Sequence, residues 1–161
     1  MIQRIQTVYL VTIIILTCVM CKGSLISIQS PNASGSMDIY NLNIFYFNAV
    51  ENGSTTHNDI QFGLIAIAAL QILLTAVIIF SFKDRPRQMK LVRFNFLVMF
   101  MLVAGIFSKA VMDIPTFSFS KMFPYSIFGF TMMVMIIYLN WRVLMLIKRD
   151  DEMVKSADRI R

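Results

Sequence analysis

Residues 60–82 run for 23 positions without an Asp, Glu, Lys or Arg. As a helix rising about 1.5 Å per residue, such a segment spans a hydrocarbon core of about 30 Å with modest tilt. It runs into Lys83-Asp84-Arg85-Pro86-Arg87-Gln88-Met89-Lys90-Leu91-Val92-Arg93, which holds five of the fifteen Lys and Arg residues. A second long apolar run follows. Lys and Arg are retained on the cytoplasmic side of a bilayer, so this short basic loop faces the cytoplasm and fixes the orientation of the rest.

The composition agrees. Charged residues make up 15% of the chain and hydrophobic residues 57%, with a mean hydropathy of +0.68. A soluble domain carries about 25% charged residues. Here the charges collect in short blocks between four apolar runs, the pattern of a polytopic membrane protein. The abundant Met (13) and Phe (14) read as lipid-facing or interhelical packing. With 161 residues in all, residues 1–161 form a single integral membrane domain. The net charge of +6 lies beside membrane segments, which points to anionic lipid headgroups rather than nucleic acid.

The first span covers about residues 4–24. Its basic start resembles a signal peptide, but Cys18-Val19-Met20-Cys21-Lys22 offers no small-x-small cleavage site and no lipoprotein site. The outer loop, residues 25–59, is different material. Ser30-Pro31-Asn32-Ala33-Ser34-Gly35-Ser36 reads as a turn, Asn41-Leu42-Asn43-Ile44 partly alternates, and Asn52-Gly53 is a hairpin signal. These predict a small antiparallel sheet or hairpin with strands over 25–29 and 39–47 and a weaker one after the turn. The other reading is an irregular loop whose aromatics rest on the lipid interface. Tyr40, Phe45, Tyr46 and Phe47 are placed to cover the helix ends.

Within the second span, residues 60–82, Ala66, Ala69 and Ala76 with Leu73 repeat at heptad spacing, a stripe suited to close helix packing. Gln71 and Thr75 share a face and are expected to hydrogen-bond to a neighbouring helix. The cytoplasmic loop covers residues 83–91 and the third span about 92–112. Asn95 lies near its inner end, Ala104, Gly105 and Ser108 give a small face, and Lys109 and Asp113 mark the outer end. In the outer connection, Thr116-Phe117-Ser118-Phe119-Ser120 is a candidate edge strand. The fourth span, about 123–147, starts near Phe123-Pro124, since Pro suits a first helical turn. Tyr138 and Trp141 mark the inner interface, and Asn140 continues the stripe of Gly129, Met133 and Ile136. The tail, residues 148–161, has helical spacing and extends this helix into the cytoplasm.

This layout puts twelve of the fifteen basic residues and five of the nine acids inside, a net of +7, against −1 outside. The residues that determine the topology are Arg4, Lys83, Arg85, Arg87, Lys90, Arg93, Lys148 and Arg149. Both termini fall in the cytoplasm.

Three stretches together carry a resemblance. They are Met1-Ile2-Gln3-Arg4-Ile5-Gln6-Thr7, Arg87-Gln88-Met89-Lys90-Leu91-Val92-Arg93-Phe94-Asn95, and the ending Lys148-Arg149-Asp150-Asp151-Glu152-Met153-Val154-Lys155-Ser156-Ala157-Asp158-Arg159-Ile160-Arg161. In order and spacing the chain resembles the domain of unknown function 4293 family of small bacterial membrane proteins. The resemblance implies a four-helix inner-membrane protein with no assigned activity, and it brings no catalytic residues.

Few residues carry chemistry. Cys18 and Cys21 form a Cys-x-x-Cys pair at the outer end of the first span. Thiol–quinone membrane oxidoreductases use such a pair, but they relay electrons through a second one, and this chain has two cysteines in all. As apolar fillers the same residues need no partner. His57 is the sole histidine, so no zinc set forms around it. There is no phosphate-binding Gly-rich loop and no nucleophile triad. Asn32-Ala33-Ser34 and Asn52-Gly53-Ser54 match the glycosylation sequon, the mark of a claudin-like adhesion protein, but the loop lacks that class's cysteine pair. No ionisable residue lies near the middle of a span, where an ion route would place one.

The chain therefore reads as an all-α membrane protein, a four-transmembrane-helix bundle with a small outer sheet. The expected role is a non-catalytic accessory or scaffold subunit of the bacterial inner membrane, without cofactor or metal. Its partners are membrane lipids and either a membrane protein or further copies of itself. The alternatives are a thiol–quinone oxidoreductase using Cys18 and Cys21, and a small oligomeric transporter or channel.

Overall fold

The computed structural model describes residues 2–31, 37–51, 54–82, 84–114 and 119–158. In chain order the elements are α1 (Ile2–Lys22), β1 (Ile26–Pro31), β2 (Met37–Leu42), β3 (Tyr46–Glu51), β4 (Ser54–Ile60), α2 (Phe62–Phe80), α3 (Arg85–Asp113) and α4 (Phe119–Asp158). All four helices are long and apolar enough to cross a membrane, and the fold is mostly helical. In the bundle α1 lies between α4 and α2, and α3 lies between α2 and α4. The sheet closes one end. Among the described residues most Lys and Arg lie at the opposite, basic end.

Each helix buries one stripe at alternating spacings of three and four. On α1 it is Gln6, Leu10, Ile13, Thr17 and Met20; on α2, Leu64, Ala68, Gln71, Thr75 and Ile78. On α3 it is Gln88, Val92, Asn95, Met99, Leu102 and Ile106; on α4, Ser126, Gly129, Met133, Ile136, Asn140, Val143 and Ile147. A repeat averaging 3.5 residues keeps a seam facing its neighbours in left-handed packing. The outward faces are apolar as well, with Val8, Ile15, Phe62, Leu73, Phe80, Leu97, Phe100 and Val134 exposed.

The alanine stripe of α2 does not pack inside the bundle. Ala66, Ala69 and Leu73 are exposed and Ala76 is half-buried. The helix instead turns Gln71 and Thr75 inward, where the expected bond to a neighbouring helix forms at Thr75, whose hydroxyl oxygen accepts from α3, and, among the described residues, not at the Gln71 side chain. Similarly, Ala104 and Ser108 of α3 are exposed, and only Gly105 faces a neighbour, Leu64.

Two helices start earlier than the sequence suggests. The link between α2 and α3 is short: the Asp84 amide donates to the Ser81 carbonyl, and the Gln88 amide to the Asp84 carbonyl. Pro86 stands in the first turn of α3, where its missing N–H is no loss. The basic residues from Arg85 onward are good helix formers and lie in the helix. Helix α4 starts at Phe119, which places Pro124 in its second turn.

The sheet is an antiparallel meander in the order β1-β2-β3-β4, so the expected sheet is present with four strands. The run 39–47 is broken in two. At Asn43-Ile44-Phe45 the chain turns, with the Asn43 amide donating to the Tyr46 carbonyl at 2.9 Å, and β3 folds back on β2. Asn is at home in such turns. The register pairs Ile28 with Tyr40 and Tyr40 with Ala49. Ile26, Ile28, Tyr40, Leu42, Phe47 and Ala49 are buried, and the Tyr40 and Phe47 rings stack at 6.5 Å. Phe45 and Tyr46 are exposed, so only half of the aromatic cluster covers the bundle. Residues 32–36 of the expected turn, Asn52-Gly53 and residues 116–118 of the candidate edge strand lie outside the described residues, and Phe119 and Ser120 of that run are helical, at the start of α4.

One edge of the sheet is fastened to α4. The Ser27 amide donates to Ser126 Oγ at 2.8 Å, and that hydroxyl donates back to the Ser27 carbonyl at 3.2 Å. Three residues on, Gly129 meets the backbone of Leu25 so closely that a Cβ there would lie 2.3 Å from the Leu25 carbonyl oxygen. Glycine is what permits the approach.

Candidate functional site

Within the bundle the buried stripes are not wholly apolar. Gln71 and Thr75 on α2, Gln88 and Asn95 on α3, and Asn140 on α4 are all buried. Their three-and-four spacing carries them onto the inner faces, where any partner has to come from the protein. Gln88 Nε2 donates at 3.3 Å to the Ile78 carbonyl in the last turn of α2, which also accepts from the Ser81 amide at 3.2 Å.

The remaining groups form a seam whose polarity is set step by step. The Ile136 carbonyl can only accept, so Asn140 presents Nδ2 to it at 3.2 Å, with Met99 Sδ at 3.6 Å. That turns Asn140 Oδ1 towards α3, where it accepts from Asn95 Nδ2 at 3.0 Å. Asn95 Nδ2 also donates to Thr75 Oγ1 at 3.3 Å, and the Thr75 hydroxyl donates to the Gln71 carbonyl at 2.8 Å. The chain of bonds links α4, α3 and α2. Among the described residues, Asn95 Oδ1 and both amide atoms of Gln71 have no partner. None of these side chains titrates, so the seam offers neutral donors and acceptors but no acid, base or nucleophile.

At the basic end, Arg85 Nε and Asp150 Oδ2 lie 3.1 Å apart and tie the first turn of α3 to α4. Lys148 and Glu152 approach at 3.9 Å along α4. Arg87, Lys90, Arg93, Arg142 and Arg149 are exposed. Lys83 and the Arg4 side chain lie outside the described residues. Arg142, Met145, Leu146, Lys148, Arg149 and Glu152 line an open groove of about 480 Å³ on α4. One turn before it the exposed rings of Tyr138 and Trp141 lie 6.2 Å apart.

Towards the sheet end, Lys109 and Asp113 pair at 3.5 Å across one turn of α3. Cys18 is exposed and Cys21 half-buried against the core, both as free thiols on α1. The His57 side chain lies outside the described residues. Among the described residues no three His, Cys, Asp or Glu side chains come together.

The sequence marks Gln71, Thr75, Asn95 and Asn140 as polar residues on or near packed stripes. The direct Asn95–Asn140 bond, and the place of Gln88 on the same inner face, are new from the structure. The spacing that buries each one was a usable signal. The axial offset between helices, which decides who meets whom, was not.

No curated protein matches the chain. The model of the family described as Domain of unknown function (DUF4293) matches residues 2–160, and the chain belongs to that family.

Proposed function

We propose that this chain is a non-catalytic integral protein of the bacterial inner membrane, with both termini in the cytoplasm, acting as an accessory or scaffold subunit. The observation that carries the reading is the inverted distribution of polarity. Exposed faces of all four helices carry Val, Leu, Ile, Phe and Met, while Gln6, Thr17, Gln71, Thr75, Gln88, Asn95 and Asn140 are buried. Such a surface suits lipid and is a liability in water. The basic end supports the orientation, because Lys and Arg beside spans stay on the cytoplasmic side and meet anionic headgroups there. An accessory role is supported by a seam without titratable groups and by two surfaces beyond the apolar spans, the sheet and the end of α4.

Reporter fusions active only outside the cytoplasm test the topology. They are expected to be active after residue 50 and silent after residue 88, and the reverse pattern overturns the orientation. The subunit role predicts one membrane protein recovered in fixed stoichiometry from mild detergent. Recovery of the chain alone, at wild-type yield, counts against it.

A further inference from the structure

The groove on α4 has the makings of a lipid site. Arg142, Lys148 and Arg149 supply three positive charges, and Glu152 is the one acid on its lining. Glu152 reaches Lys148 only at 3.9 Å, with both side chains well exposed, so it offsets little of that charge. The floor is apolar, formed by Met145 and Leu146. The groove also starts at a defined depth. Tyr138 and Trp141, exposed on the same stretch of helix, are the amphipathic rings that settle at a membrane–water boundary. Arg142 follows directly, at the level where a lipid phosphate lies, and Lys148 and Arg149 stand one to two turns further from the hydrocarbon. The volume, about 480 Å³, falls in the range of about 300–1,000 Å³ usual for small-ligand sites.

We propose that this groove holds the headgroup of one anionic phospholipid, its phosphodiester on Arg142 with Arg149 reaching back towards it, and its upper acyl chain against Trp141. Arginine suits the task, since its planar fork can give a phosphate two hydrogen bonds at once. Lys148 adds charge without fixed geometry. The inference rests on the membrane-spanning reading above, and goes beyond general attraction to a charged leaflet by naming one face of one helix.

Trp141 is the only tryptophan in the chain and lies one turn from Met145, so the protein carries its own probe. The full chain would be reconstituted in vesicles containing phospholipid brominated near the top of the acyl chain, either anionic phosphatidylglycerol or zwitterionic phosphatidylcholine. Quenching of Trp141 is expected to half-saturate at a mole fraction at least about tenfold lower for the anionic lipid, at about fivefold per basic residue near the surface. Arg142→Gln with Arg149→Gln should abolish that preference, and Glu152→Gln should leave it in place. All three residues are exposed, so folding is not at stake. Free inorganic phosphate at millimolar concentration should leave the quenching unchanged; relief by it would mean a phosphate-ion site and overturn the lipid assignment. Equal quenching by both lipids overturns the site and leaves the membrane reading standing. No quenching by either removes Trp141 from the bilayer and overturns both.

Discussion

Asn95 on α3 donates its side-chain amide to the side-chain oxygen of Asn140 on α4 at 3.0 Å, with both residues fully buried. Interhelical bonds of this kind contribute about 0.6 kcal/mol on average and up to about 1.7 kcal/mol. Stranding one partner costs more, about 1–3 kcal/mol. Asn140→Leu is expected to destabilise the bundle by that larger amount. The double variant with Asn95→Leu should lose clearly less than the two single losses combined. Unfolding in mixed micelles measures all three, and strict additivity would show that the two amides are not coupled.

Gly129 and Gly105 make a contrasting pair. A Cβ at Gly129 would meet Leu25 backbone, 2.7 Å from its Cα, whereas one at Gly105 meets only the tip of Leu64, at 3.0 Å. Gly129→Ala should force the strand β1 away from α4, at the cost of about 1–3 kcal/mol expected of overpacking. Faster proteolysis between residues 25 and 60 would report it. In Gly105→Ala the Leu64 side chain can rotate, and the gain in helix propensity, up to about 1 kcal/mol, offsets the contact. Its melting temperature should barely move.

The Arg85–Asp150 pair is partly exposed, so its contribution is below about 1 kcal/mol. Its effect is local. Asp150→Asn should speed amide hydrogen exchange over residues 150–158 and leave exchange in the rest of α4 unchanged. Exchanging the two residues, Arg85→Asp with Asp150→Arg, should restore protection. Equal exchange in all three proteins would mean that the pair does not hold the end of α4.

Cys18→Ala with Cys21→Ala should leave melting within about 1 kcal/mol of the parent, as expected where one thiol is exposed and the other only half-buried. Cellular phenotype should match the parent as well. A disulfide trapped quantitatively in cells, and reduced on quinone depletion, would instead promote the thiol–quinone reading.

How much of this was legible in the sequence varies by element. The charge-free length of α2 and the alternation around Asn41-Leu42 were enough for long apolar helices and a sheet, because both depend on local periodicity. The inward face of α2 was harder. Two stripes, one of alanines and one through Gln71 and Thr75, fit equally well by spacing. The stripe that faces inward is the one on which Thr75 meets Asn95 of α3, information no single helix contains. The break at Asn43 was hidden for a related reason. Strand propensity runs on through Ile44 and Phe45, and only pairing with β2 makes the chain reverse. The seam needed the longest-range knowledge, since Thr75, Asn95 and Asn140 come from three helices.

Helix α4 has one further consequence. From Ser126, which grips the edge of the sheet, to Asp150, which grips the start of α3, it is continuous and without proline. A helix of that kind is stiff against torsion, and Asn140 clamps it midway. Twisting the strand-bearing end therefore turns the charged end as one shaft. Any such rotation must first release the Asn95 bond or the Arg85 pair, so those two contacts act as the detents on its angle.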